Sequence, residues 1–180
     1  MSQLSVHPVA ELPEADRLEY IRLVASIALC DGFTDPHEIG KLHRLADALH
    51  LHEAVTAPLF QSLEQDRLDA PVLSREAVWF KNPLPVRWHL MIDSIAVAFS
   101  DGRLSPGETQ RLAELARQLE IPPEDVMKMA DRIESILFKQ DADHAHLARE
   151  LGAAVGGDHH GEHLVGRVRK LSGSDPTSQG

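Results

Sequence analysis

Residues 28–38 read ALCDGFTDPHE and residues 98–108 read AFSDGRLSPGE, so a similar stretch occurs twice at an offset of 70 residues. Aligned without a gap, residues 20–51 and 90–121 share nine identical positions. In the first copy these are Ala28, Asp31, Gly32, Pro36, Glu38, Leu42, Leu45, Ala46 and Leu49. Self-similarity at a fixed offset indicates an internal duplication.

Each copy predicts a helix, a turn and a second helix. In the first copy, apolar residues recur at helical spacing from about Glu14 to Cys30. Asp31-Gly32 ends this helix because glycine adopts left-handed backbone at little cost. The next helix has Asp35 as N-cap, Pro36 at its first position and Glu38 at its third.

The second copy repeats these signals. Its long helix is expected from about Pro85 to Ser100, and Asp101-Gly102 ends it. Ser105 takes the place of Asp35 as N-cap of the following helix. The predicted repeats therefore span about residues 14–51 and 85–121.

The remaining segments predict further helices and two flexible ends. Residues 53–84 form a helical spacer, with helices around Pro58–Leu68 and Pro71–Phe80. A closing helix over 123–139 is expected to bury Val126, Met129, Ile133, Ile136 and Leu137. Residues 1–11 read as a flexible leader, and 141–180 as a short helix, Asp143–Leu151, with a mostly disordered, histidine-containing tail. Since no segment resembles a strand, we expect an all-α domain over residues 12–140.

Composition restricts the class of protein. Hydrophobic residues make up 43% of the 180 positions but aromatic residues only 4%, which is typical of a core built from packed helices. The net charge of −10 argues against binding nucleic acid through its phosphates. The single cysteine, Cys30, cannot form an internal disulfide. Without a run of 18 apolar residues or a secretory leader, the sequence predicts a cytoplasmic protein with no transmembrane segment.

The acidic residues at the two turns, Asp31 with Glu38 and Asp101 with Glu108, have two interpretations. In the structural one, each glutamate completes a capping box and each aspartate shapes its turn. In the functional one, the duplicated hairpins pack about a pseudo-twofold axis, which gathers the four carboxylates around a cation. Hard oxygen ligands of this kind suit Ca²⁺, Mg²⁺ or Mn²⁺. The spacing does not match an EF-hand, because neither turn places glycine and glutamate at the required positions.

The motif itself resembles the hallmark of a known family. Alanine, a hydrophobic residue, a small residue, Asp-Gly, any residue, Leu or Ile, Ser, two residues and Glu is the pattern of the TerB-like family, named for a tellurite-resistance protein. Ala98–Glu108 fits it closely, and Ala28–Glu38 fits except at Thr34, where an aliphatic residue is usual. The resemblance implies a bundle of about seven helices built on two repeated hairpins. It also implies that Asp31, Glu38, Asp101 and Glu108 gather metal ions, and it links the chain to metal-related stress and to regulatory or membrane-associated assemblies.

Other patterns give weaker signals. The tail histidines, with Asp158 and Glu162 beside them, offer ligands for Zn²⁺ or Ni²⁺ but lack a recognised spacing. His37, His43, His50 and His52 are expected at the surface of the first hairpin, and Trp79, Phe80 and Trp88 in the core. Residues 164–171 form a short basic, amphipathic segment that could contact a partner or, weakly, an anionic membrane surface.

The sequence shows no phosphate-binding loop, nucleophile elbow or Cys/His dyad, so we expect no enzyme. The leading hypothesis is a non-enzymatic acidic module that binds or senses divalent cations during stress. Its rival is an interaction or scaffold module in a bacterial regulatory assembly, whose acidic pairs act only as helix caps. Both hypotheses expect a protein partner, and neither specifies the oligomeric state.

Overall fold

A computed structural model describes residues 6–28, 35–65, 84–137 and 146–156, which contain seven α-helices and no strand. The predicted all-α class is therefore confirmed for this part of the chain. A 3-10 helix over Pro8–Glu11 precedes the α-helices. These are α1 Glu14–Ala28, α2 Pro36–Ala48, α3 Glu53–Glu64, α4 Leu84–Ala98, α5 Pro106–Gln118, α6 Pro123–Leu137 and α7 His146–Gly156. The helix predicted around Pro71–Phe80 lies outside the described residues.

The helix bounds fall into two series. Helices α1, α2 and α3 begin at residues 14, 36 and 53, and α4, α5 and α6 begin at 84, 106 and 123, each 70 residues later. The backbone after α2 and after α5 follows the same rule. His50 and Glu120, also 70 residues apart, are the two non-glycine residues with left-handed backbone in the described ranges, with φ of 53° and 56°. Each lies in a Schellman motif, in which Leu51 N–H donates to the Ala46 carbonyl and Ile121 N–H to the Ala116 carbonyl.

Helices α1 and α4 pack against each other at the centre of the core. Helix α1 also contacts α2, α3 and α5, and α4 also contacts α5, α6 and α2. The contacts are thus reciprocal, since the central helix of each series touches the second helix of the other. The core is aliphatic, and its largest fully buried side chains are Tyr20, Ile21, Leu42, Leu49, Leu63, Leu90, Met91, Ile95, Leu112, Leu119 and Leu147.

Helix α7 joins this core, although the sequence predicts a helix over Asp143–Leu151 as part of the tail. It begins later, at His146, continues to Gly156 and packs on α5 and α6. Leu147 and Leu151 are fully buried, and Val155 is nearly so. Spaced four residues apart, these three side chains form one apolar stripe, which is what holds the helix on the core.

The start of the chain also differs from the prediction of a flexible leader over residues 1–11. Val9 is fully buried, and the 3-10 helix contacts α4. Residues 6–11 are therefore part of the packed structure, because Val9 supplies an apolar anchor that composition alone does not reveal.

Three local predictions need correction. Helix α3 begins at Glu53 rather than around Pro58, and Pro58 lies inside it. Since Pro58 and Ala54 are exposed, water can replace the hydrogen bond that proline cannot donate to the Ala54 carbonyl. Ile136, predicted to be buried, is 57% exposed because it lies at the edge of the apolar stripe in the last turn of α6. Trp88, predicted in the core, is 37% exposed.

Candidate functional site

The first acidic pair lies at the amino end of α2. Asp35 is the N-cap, and its Oδ1 accepts a hydrogen bond of 2.7 Å from the His37 backbone N–H. Glu38 Oε2 accepts one of 2.8 Å from the Asp35 backbone N–H, which completes a capping box. The Glu38 side chain is only 5% exposed. The backbone N–H of His37, followed by its ring, lowers the pKa of Asp35, so this cap is charged at neutral pH.

The second pair repeats this arrangement at the amino end of α5. Ser105 Oγ accepts a hydrogen bond of 3.2 Å from the Glu108 N–H, and Glu108 Oε2 accepts one of 2.6 Å from the Ser105 N–H. Glu108 is 4% exposed. Both motif glutamates therefore bond to the backbone amides that a helix start leaves without partners, as the structural interpretation expects.

The aspartates of the motif lie in the preceding turns. Asp101 is exposed, and its Oδ1 accepts a hydrogen bond of 2.8 Å from the Arg103 N–H across the turn. Gly102 follows it with a φ of 87°, which explains the glycine at this position. Asp31 lies outside the described residues. Within them, no three His, Cys, Asp or Glu side chains are grouped so that they could hold a metal ion.

A polar cluster that sequence reasoning did not find joins the amino-terminal segment to the central helices. Asp93 on α4 accepts two hydrogen bonds on the same oxygen, Oδ2. One, of 2.6 Å, comes from the Tyr20 hydroxyl on α1, and the other, of 2.9 Å, comes from His7 Nε2. The His7 ring also packs edge-on against Tyr20 and against His89, with centroids 5.8 and 5.1 Å apart. We call these four residues the Asp93 cluster.

The hydrogen bonds assign the tautomer of His7. The Val9 backbone N–H donates to His7 Nδ1 at 3.2 Å, so Nδ1 acts as the acceptor and the proton lies on Nε2, facing Asp93. A neutral imidazole therefore caps the 3-10 helix and bonds to α4 at the same time. The cluster thereby cross-links the start of the chain, α1 and α4, which is a structural role.

Burial changes the titration of two members of the cluster. Burial, then the charge of Asp93 and the hydrogen bond to it, raises the pKa of Tyr20 well above its ordinary value of 10.0. Burial lowers the pKa of His89, although the Asp93 charge opposes this shift. At neutral pH, Tyr20 therefore keeps the proton that it donates to Asp93.

We expect the free energy of unfolding to fall above about pH 10 because Tyr20 binds its proton more tightly in the folded state. Stability from this group is complete below the unfolded pKa and is lost as pH rises toward the folded pKa. Tyr20 is the one tyrosine of the chain, so tyrosinate absorbance reports on it directly. The absorbance should appear near pH 10 in urea but at clearly higher pH in native protein. Coincident titrations would contradict the expectation, and Tyr20→Phe provides the blank.

An open groove of about 410 Å³ lies between α2 and α3. Its lining combines buried residues with an acidic rim and consists of His43, Ala46, Asp47, Leu51, Glu53, Thr56, Ala57, Phe60, Gln61 and Glu64. The His43 ring stacks on Phe60 with centroids 3.7 Å apart and an interplanar angle of 8°. His43 is exposed, as are His37, His50 and His52, so the predicted surface positions of these histidines are confirmed.

Within the described ranges, no helix has the length and apolar character needed to span a membrane. Comparison of the chain with protein-family models, with curated proteins and with solved structures gives no match. The all-α class therefore rests on the helices themselves, and the resemblance to the TerB-like family rests on the two turn motifs.

Proposed function

We propose that the chain is a non-enzymatic helical interaction module in which the acidic pairs act as helix caps and turn formers. One observation carries this proposal: Glu38 and Glu108 both accept a hydrogen bond from the backbone N–H of their N-cap residue. Asp101, the described aspartate of the motif, likewise bonds to the backbone of its own turn. The α2–α3 groove supports binding of a partner, because an open groove with a buried floor and a polar rim is typical of helix docking.

We also propose a TerB-like architecture that arose by duplication of a three-helix unit. The helix starts at a constant offset of 70 residues, the paired capping boxes and the paired Schellman motifs support this proposal. Under it, α3 and α6 are the third members of the repeats, whereas the sequence alone suggests a spacer and a closing helix. The repeating unit is then α1–α3 in the first half and α4–α6 in the second.

Divalent-cation binding in a stress response is the second candidate function. The observation that favours it is the burial of two carboxylates, Glu38 and Glu108, at corresponding helix starts. Buried carboxylates repel each other when they lie close together, and a bound cation relieves this repulsion. Asp31, Glu38, Asp101 and Glu108 would then hold Ca²⁺, Mg²⁺ or Mn²⁺ through carboxylate oxygens.

The double variant Glu38→Gln/Glu108→Gln separates the two functions. Glutamine at the third helical position still completes a capping box, so we expect each substitution to lower the free energy of unfolding by at most about 1 kcal/mol. The charge needed for a cation is removed. The measurement is the melting temperature of the full chain in chelator and then in millimolar Ca²⁺, Mg²⁺ or Mn²⁺.

The interaction-module proposal expects no saturable rise in melting temperature with any of the three cations. A rise that saturates in the wild-type chain and disappears in the double variant would support the cation site instead, because a ligand stabilises the state it binds. Glu11→Gln/Glu19→Gln is the matched control, since it removes the same charge at two exposed positions.

A further inference from the structure

Helix α7 shows how the second half of the fold covers the surface of α5 and α6. Its buried stripe faces these two helices, and the Leu147 backbone N–H donates a hydrogen bond of 3.2 Å to Glu134 Oε2 on α6. The backbones approach closely, because a Cβ atom added at Gly152 would lie 2.8 Å from Met127 Sδ. A short amphipathic helix is thus the natural occupant of this surface.

The α2–α3 groove is the corresponding surface of the first half. The residues 70 positions after Thr56, Phe60 and Glu64 are Val126, Ala130 and Glu134, all on α6. Glu64 thus corresponds to Glu134, the residue that holds the amino end of α7. Yet Glu64 is exposed and the groove beside it is open, whereas Glu134 is buried. The first half therefore offers a place for a helix like α7.

The charge of the groove indicates what kind of helix fits. Its lining contains three acids, Asp47, Glu53 and Glu64, and no lysine or arginine. The corresponding positions of the second half are Arg117, Pro123 and Glu134, whose charges cancel. An occupant of the α2–α3 groove therefore needs an aliphatic stripe like that of α7 together with positive charges beside it.

One segment of this chain has that chemistry. Residues 164–171 read LVGRVRKL, which places Leu164, Val168 and Leu171 at the spacing of one helical face. Arg167, Arg169 and Lys170 supply three positive charges against the three acids of the groove. We propose that residues 164–171 dock in the α2–α3 groove as an amphipathic helix, in the way that α7 covers α5 and α6. This inference rests on the proposed function as an interaction module and names the occupant of its groove.

Zero-length carbodiimide cross-linking of the full chain, read by mass spectrometry, tests the proposal. We expect Lys170 to form amide cross-links with Asp47, Glu53 or Glu64 in preference to other exposed acids such as Glu120 and Glu124. Reversing two groove charges with Glu53→Lys/Glu64→Lys should lower the yield at the remaining Asp47 about fivefold, the factor for a loss of about 1 kcal/mol. Adding Arg167→Glu/Arg169→Glu to that variant should restore the yield. The matched control is Glu120→Lys/Glu124→Lys, which reverses two charges outside the groove.

Val168→Asp tests the apolar part of the contact and should also lower the yield, although every charge that cross-links is retained. The mass of the product shows whether the segment comes from the same chain or from a second copy, and either result places it in the groove. The proposal is overturned if Lys170 cross-links are absent or spread evenly over surface acids, or if the yield ignores the charge reversals. Such a failure leaves the cation measurements untouched, so it is distinguishable from a failure of the proposed function.

Discussion

Ending the chain at residue 140 should lower the free energy of unfolding by about 5 kcal/mol or more. The truncation removes α7, whose Leu147, Leu151 and Val155 side chains are almost entirely buried. Each buried aliphatic side chain contributes about 1.5–3 kcal/mol, and the exposed surface of α5 and α6 adds to the loss. Because a domain of this size is stable by only about 5–15 kcal/mol, we expect the truncated chain to lose much or all of its cooperative folding.

Urea denaturation followed by circular dichroism measures this effect. A chain that ends at residue 157 keeps α7 and serves as the control, with stability close to that of the full chain. In the full chain, Leu151→Ala should cost about 2–5 kcal/mol, since it leaves a cavity in the core. Ala153→Ser, at an exposed position of the same helix, should stay within about 0.5 kcal/mol. Equal stabilities of the chains that end at 140 and 157 would show that α7 contributes nothing to the core.

The second large effect is expected for Asp93→Ala. Asp93 Oδ2 accepts hydrogen bonds from the Tyr20 hydroxyl and from His7 Nε2, and Tyr20 is fully buried. Removing the carboxylate leaves that hydroxyl without this charged acceptor and frees the amino-terminal segment from α4. A hydrogen bond to a charged group contributes about 1.5–3 kcal/mol, so we expect a loss of about 3 kcal/mol.

A double-mutant cycle with Tyr20→Phe identifies the origin of this loss. If the hydroxyl and the carboxylate act together, Asp93→Ala should cost about 1–2 kcal/mol less in the Tyr20→Phe background than in the wild-type chain. Strictly additive losses would show that the hydrogen bond contributes little. Asp131→Ala, which removes an exposed acid from α6, controls for the change in net charge.

Local features were predictable from the sequence, because their causes lie within a few residues. Asp35 and Glu38 stand three positions apart with Pro36 between them, and that spacing is sufficient to predict the capping box. The same holds for Ser105 and Glu108. The start of α6 at Pro123 follows from the same kind of signal.

Features that depend on packing between distant segments were not predictable. His7 and Asp93 are 86 positions apart, and Tyr20 and Asp93 are 73 apart, so no motif marks the Asp93 cluster. The apolar stripe of α7 suggested a helix, but nothing local shows that it lies on α5 and α6. Pro58 suggested a helix start, yet the rest of α3 holds the helix together because Leu59 and Leu63 are buried.

The pairing of α1 with α4 also has a consequence for synthesis on the ribosome. Helix α1 is complete at residue 28, but its central partner is complete only at residue 98. At roughly 5–20 residues per second, the apolar face of α1 waits about 4–14 s for that partner. Contacts between segments this far apart in sequence also raise the contact order above that of a simple up-and-down bundle, which slows folding. A core shared between two halves thus leaves the first half exposed in the nascent chain until the second has emerged.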